Sequence, residues 1–205
     1  MSVDDKIYEH LASILSYPEE QIREGVEKVH ELAPVEVPTL KLLSDYLEGA
    51  STKSVEELFT RTFDLNPSCC LEVGWHLYGE DYPRGAFLVN MRQTLAEENL
   101  PESPELPDHL SHCLRLLPKL EAEDAEAFAR KYILPAVGKI LPAMEDENPY
   151  TCVLEMLQSL LEGQYGPGDP GDGIGNAKLV ELPILDNVLH YNNTEDLQGS
   201  GKKRR

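Results

Sequence analysis

ELPDHLSHCLRLL, residues 105–117, carries a helix and a puzzle in one line. Leu110, Leu114 and Leu117 recur at the spacing of one face of an α-helix, so the second half of the stretch reads as a buried helical segment. Pro107 and Asp108 suit a helix start, where a missing N–H costs little and a carboxylate meets orphan donors. His109 fits less easily. Packing alone does not call for two titratable side chains, Asp108 and His109, between leucines that belong inside.

The helical period extends in both directions. Upstream, Ile7, Leu11, Ile14 and Leu15 form one face, and Pro18 is expected to open a second helix through Ile22, Val26 and Val29. Leu40, Leu43 and Leu47 mark a third, with Gly49 as a stop. Residues 53–63 and 66–78 read as two further helices divided by Asn66-Pro67, and another begins at Asp81 or Tyr82 with Leu88, Met91 and Leu95 on its buried side. Downstream, residues 121–144 carry a long helical pattern that Pro135 and Pro142 should kink or split. Pro149 starts a last helix with Val153, Leu157, Leu160 and Leu161 inward. Alternating strand runs are missing, and LVELPIL near the end is too short and proline-broken to found a sheet. The expectation is an all-α fold, a single globular bundle of about eight to ten helices.

Length fits one domain with a sizeable core. Residues 1–164 are expected to form it, with 165–205 as a Gly/Pro/Asp-rich, largely irregular tail that includes a possible docked segment at 179–189 and a basic end, GSGKKRR, resembling an expression scar. The 37 acidic against 18 basic side chains give a net charge of −19, which repels phosphate backbones and anionic lipid and attracts basic peptides. No apolar run approaches the roughly 18 residues of a membrane span, and the acidic N-terminus is unlike a signal peptide. The four cysteines, Cys69, Cys70, Cys113 and Cys152, show no metal-ribbon or CxxC spacing. These features point to a soluble, reduced, cytoplasmic protein.

Candidate chemistry is thin. His109, His112 and Cys113 share one side of a helix and offer three zinc ligands, but one helix rarely completes a site; Cys113 reads as core and His112 as exposed. Cys69 and Cys70 read as one buried thiol and one spare. Gly166 to Gly171 spell G-x-G-x-x-G without the strand and helix that a dinucleotide fingerprint requires. No nucleophile elbow or Ser-x-x-Lys setting is present. Catalysis is disfavoured. Gly85, one turn inside a helix at a cost of about 1 kcal/mol, suggests either a close helix crossing or a groove kept open for a guest.

Several of these residues fall into an ordered set: Phe59-x-x-x-Phe63-Asp64-Leu65-Asn66-Pro67, Tyr78-Gly79-Glu80 with Arg84-Gly85, then Glu105-Leu106-Pro107-Asp108-His109-Leu110, and finally Asn148-Pro149-Tyr150. With this order and spacing, residues 59–161 resemble the NarJ-like branch of the TorD/DmsD/NarJ family of molybdenum-enzyme assembly chaperones. The resemblance implies an all-helical cytoplasmic chaperone with no catalytic activity and no cofactor of its own. Its partner would be the apo catalytic subunit of a molybdenum enzyme, bound through an N-terminal, often twin-arginine, segment until molybdopterin is inserted. It places Asp108 and His109 at the peptide-recognition region, with Pro107 shaping the loop, and carries Glu105, Gly85, Arg84, Glu80 and Phe63 along with them. The stretch SHCLRLL departs from the branch's usual residues. The client is therefore nitrate reductase or a related selenate, chlorate or perchlorate reductase or hydrocarbon dehydrogenase. A monomer is expected, with dimers by segment exchange as an alternative.

A twin-arginine segment sets guanidinium groups beside apolar residues, which a leucine-lined groove with a carboxylate at its rim would complement. A histidine beside that carboxylate is expected to make binding pH-sensitive near neutrality. The competing reading is a metal-dependent enzyme using His109, His112 and Cys113, or an acidic structural subunit.

Overall fold

The computed structural model describes residues 3–169, apart from Glu20, Glu36 and Glu102. The described chain is all helical, as the periodicity indicates. Its α-helical segments are α1 (Val3–Ile14), α2 (Ile22–Leu32), α3 (Lys41–Gly49), α4 (Thr52–Phe59), α5 (Val73–Tyr78), α6 (Tyr82–Glu97), α7 (Leu110–Leu116), α8 (Ala122–Phe128), α9 (Leu134–Ile140) and α10 (Thr151–Tyr165). The segment 179–189 lies outside the described residues. No described helix is long and apolar enough to cross a membrane.

Each helix buries the face its sequence sets aside. Ile7, Leu11, Ile14 and Leu15 of α1 are buried, and α1 packs against α2 and α7. The start of α2 differs from expectation: Pro18 lies in the turn before it, and the helix begins at Ile22. Ser51 caps α4, its hydroxyl accepting the Ser54 N–H at 3.2 Å. α4 then widens into a π turn at Thr60–Asp64, closed by Leu65 N–H donating to Thr60 O at 2.9 Å. This turn carries Phe63 into an aromatic cluster, with ring centroids 5.0 Å from Phe59 and 5.1 Å from Tyr150. The loop 66–72 is longer than the sequence indicated, because helix α5 begins only at Val73.

Residues 122–143 run as one helical rod. Pro135 has no N–H to offer the carbonyl of Lys131, and the chain absorbs the gap in a π turn, Ala129–Ile133, where Leu134 N–H reaches Ala129 O instead. The proline thus shifts the ladder by one residue without breaking the rod. Ile133, Val137 and Ile140 stay buried along it, and α9 contacts both α5 and α10.

After α10, Gly166 turns the chain at φ +83°, and residues 167–169 fold back on the π turn. Arg130 donates through Nε to Pro167 O at 3.1 Å and through a terminal nitrogen to Asp169 Oδ1 at 2.8 Å. Gly168 is needed there, since a Cβ would stand 2.9 Å from Leu134 Cβ. The start of the Gly/Pro/Asp-rich stretch, residues 166–169, thus forms a docked corner.

Candidate functional site

The site grows from an unusual crossing. Segments 71–73 and 108–110 pass antiparallel and exchange two backbone bonds, Leu110 N–H to Leu71 O at 2.8 Å and Val73 N–H to Asp108 O at 2.9 Å. This clamp sets the start of α5 against the start of α7. Asp108 Oδ2 accepts the Gly74 N–H at 3.0 Å, so the carboxylate supplies an acceptor to an orphan donor in the first turn of α5, 34 residues away in sequence. It does not cap its own helix. That role falls to His109, the N-cap of α7, whose Nδ1 accepts the Ser111 N–H at 3.3 Å and lies 2.8 Å from the Ser111 hydroxyl.

The crossing is tight, and the glycine that permits it is Gly74. A Cβ there would fall 2.6 Å from Asp108 Oδ2 and 2.9 Å from Phe87 Cδ1. Gly85, read as either a close crossing or a groove kept open, is exposed and would meet nothing within 4 Å, which removes the close crossing. The close-crossing reading belongs to Gly74, which sequence patterning did not single out. On α6 the buried side is Phe87, Asn90, Met91, Thr94 and Leu95, while Leu88 is only half-buried.

Asp108 is completely buried, yet it is poorly satisfied. Arg84 Nε stands 3.9 Å from Oδ2, too far for a hydrogen bond, and both Arg84 Nε and Asp108 Oδ1 lack a hydrogen-bond partner. The Arg84 guanidinium also lies 5.4 Å from the centroid of the Trp75 ring. Burial pushes the Asp108 carboxyl above its ordinary range, opposed by Arg84 and the Gly74 N–H. The carboxylate that sequence reasoning set at a rim is, in this conformation, inside the protein behind its own arginine.

His109 is buried beside it, and burial drives its pKa down to about 3, with His112 and Arg115 acting in the same direction. The imidazole is therefore neutral at neutral pH. The expectation that His109 titrates near neutrality fails, because a desolvated imidazolium without a carboxylate partner is strongly disfavoured. His112 is likewise buried rather than exposed: its Nδ1–H donates to Leu106 O at 2.9 Å, and Nε2 accepts from the Ser103 hydroxyl at 2.9 Å. These bonds pin the 103–106 loop to α7. Cys113 is a core residue whose thiol points to Asp108 O at 3.7 Å. His109, His112 and Cys113 thus serve separate partners, and among the described residues no three His, Cys, Asp or Glu side chains gather in a metal-holding group.

Cys69 is buried and Cys70 half-buried. Burial and Glu72 push the Cys70 thiol up to about 12, so it is not a thiolate nucleophile.

The remaining residues take distinct places. Pro107 is buried under the motif, while Glu105 is half-buried and its carboxyl is raised by burial and by Asp64 and Glu72. Asp64 and Glu72 therefore lie within electrostatic reach of Glu105. Leu65 and Leu106, each next to one of them in sequence, are 74% and 42% exposed. Glu80 is exposed and lines a cleft of about 620 Å³ with Trp75, Leu77, Gly79, Asp81 and Lys139. Phe63 sits in the aromatic core, where it shapes the π turn before Leu65. The structure brings Arg84 and Asp108 together and adds Gly74, Trp75 and Glu72, all in the short region 72–75 that sequence reading treated as ordinary helix. The sole tryptophan of the chain was the available signal.

The sequence profile of the nitrate reductase delta subunit family matches residues 10–146. A search among curated proteins finds no match. The chain belongs to the nitrate reductase delta subunit family, whose members are assembly chaperones of nitrate reductase and not enzymes.

Proposed function

We propose that this delta-subunit-type chaperone recognises the N-terminal, twin-arginine-like segment of the apo catalytic subunit of nitrate reductase or a closely related molybdenum enzyme. It holds that subunit until the molybdopterin cofactor is in place. The observation that carries the reading is that Glu105 lies within electrostatic reach of Asp64 and Glu72, while Leu106 and Leu65, the sequence neighbours of Glu105 and Asp64, are exposed. A peptide that alternates guanidinium groups with apolar side chains complements both parts, whereas nucleic acid or anionic lipid would meet a net charge of −19.

The Glu105 carboxyl is raised first by burial and then by Asp64 and Glu72, and a cationic guest relieves the repulsive part of that shift. Leu65 and Leu106 then gain burial worth about 25 cal/mol per Å² of apolar surface covered. The acids supply orientation and encounter rate, and the leucines supply affinity.

Calorimetric titration with a synthetic peptide, the first 30 or so residues of the host's nitrate reductase catalytic subunit, tests the reading. Glu105→Lys is expected to weaken binding about tenfold, and Leu65→Ser by a similar factor, with the helical circular dichroism unchanged. No binding by the wild-type chain, or wild-type affinity in both variants, would overturn it.

A further inference from the structure

The Arg84 guanidinium occupies a cradle made by the chain itself. Trp75 offers a ring face 5.4 Å from its carbon, and Asp108 offers a carboxylate 3.9 Å from Nε. An aromatic face and a carboxylate are the two groups that recognise a guanidinium. Yet the occupant fits badly. A well-made Arg–carboxylate pair is bidentate, with two parallel N–H···O bonds at about 2.7–2.9 Å. Here Arg84 Nε and Asp108 Oδ1 are both buried without a partner. Leaving such charged groups unsatisfied costs more than leaving neutral ones, so the free protein carries an unmet demand at this point.

We propose that Trp75 and Asp108 form an arginine-binding subsite which Arg84 fills as a placeholder in the free protein, and from which an arginine of the client's N-terminal segment displaces it. The proposal rests on the peptide-binding reading above and adds the place on the protein that takes the arginine. Arg84 is the third residue of α6, preceded by exposed Asp81 and Tyr82, and its side chain is one-fifth exposed. Rotation of that side chain carries its guanidinium to water and opens the way to Asp108. The incoming guanidinium, free of the helix backbone, can align with both carboxylate oxygens and stack on Trp75. Gly74 N–H keeps Oδ2 in place throughout. Glu72, whose charge acts on Asp108, is a carboxylate that the displaced Arg84 can then meet.

This exchange gives Arg84 a sign opposite to that of an ordinary contact residue. As a competitor it lowers client affinity; as part of the binding surface it would raise it. Trp75 reports the exchange directly, because it is the chain's only tryptophan. The experiment is a fluorescence and calorimetric titration of the full chain with the synthetic N-terminal peptide and with the same peptide carrying lysine in place of each arginine. The wild-type chain should show a change in Trp75 emission that saturates with the arginine peptide, and about tenfold weaker binding of the lysine peptide. Arg84→Gln should bind the arginine peptide about fivefold more tightly than wild type, with Trp75 emission already shifted before peptide is added. Arg84→Lys, which keeps the charge and loses the planar fork, serves where Arg84→Gln does not fold, and should also bind more tightly. Saturable binding without a change in Trp75 emission, equal affinity for the two peptides, or weaker binding by both variants would overturn the subsite alone. Failure of the wild-type chain to bind either peptide would overturn the peptide-binding reading and the subsite together.

Discussion

Two buried polar centres, one built on Asn148 and one on Asp108, come from motifs of similar look and have opposite characters. Asn148 donates through Nδ2 to Thr62 Oγ1 at 2.9 Å and accepts the Tyr150 N–H through Oδ1 at 2.9 Å, so both ends of its amide are used. It joins the π turn after α4 to the start of α10, against the Phe59, Phe63 and Tyr150 rings. The neighbouring Tyr150 hydroxyl is unpartnered, but it is a neutral group. Asp108 instead uses one oxygen, leaves the other bare, and faces an arginine with which it makes no hydrogen bond. A centre whose polar atoms are matched holds helices together. One whose charged atoms are left over is ready for something else to complete it.

The sharpest way to break this contrast is Gly74→Ala. A Cβ 2.6 Å from Asp108 Oδ2 forces the carboxylate off the start of α5 and presses on Phe87, and a loss of about 3 kcal/mol in urea unfolding is expected. Peptide affinity in calorimetry should fall as well, since the same shift misplaces Asp108. Preserved stability would mean that the crossing is looser than its geometry. Next in size is Asn148→Ala, which strands Thr62 Oγ1 and the Tyr150 N–H and should cost about 2 kcal/mol by the same measurement. Client peptide affinity at a stability-matched temperature should not move. A change in affinity there would erase the distinction between the two centres.

The smallest effect is set by pH. His109 is neutral in the fold, with its pKa pushed down to about 3, and ionises near 6.5 in the unfolded chain. A depressed folded-state pKa contributes stability that is complete above the unfolded value and is lost as pH falls toward the folded one. Between pH 6 and pH 5 the wild-type chain should therefore lose about 1 kcal/mol through His109, and His109→Gln should flatten that part of the urea-unfolding pH profile. His112, also pushed down by burial, adds to the loss in the same window. An unchanged profile in the variant would show that His109 is solvated in solution, and that the Asp108 side of the molecule is not the acid-sensitive one.

Much of the fold was legible because burial leaves a periodic trace. Ile7, Leu11, Ile14 and Leu15 repeat as a helix face must, and Pro135 announces a disturbance in the long helix whatever form it takes. What that form is was not legible: a kink, a split and a π turn all answer a missing N–H, and the structure shows the last, in a rod whose α9 packs against α5 and α10. The start of α2 was misplaced for a related reason. Proline suits the first turn of a helix and equally a turn upstream of one.

The site divides along the same line. Chemistry marked Asp108 and His109 as odd between leucines, and the family resemblance carried Arg84, Glu105 and Glu80 along with them. Sequence could not pair Asp108 with Gly74 and Arg84, which are 34 and 24 positions away, nor give the capping role to His109 rather than its neighbour. It also left Gly85 between a close contact and an open groove and passed over Gly74, which makes the close contact, since a glycine's reason for being is written in what stands opposite it. Local chemistry along a chain determines which residues are helical, apolar or ionisable, because those properties depend on near neighbours alone. Which carboxylate is buried, which arginine it faces and which oxygen stays bare depend on segments brought together only by packing, and only the tertiary structure decided them.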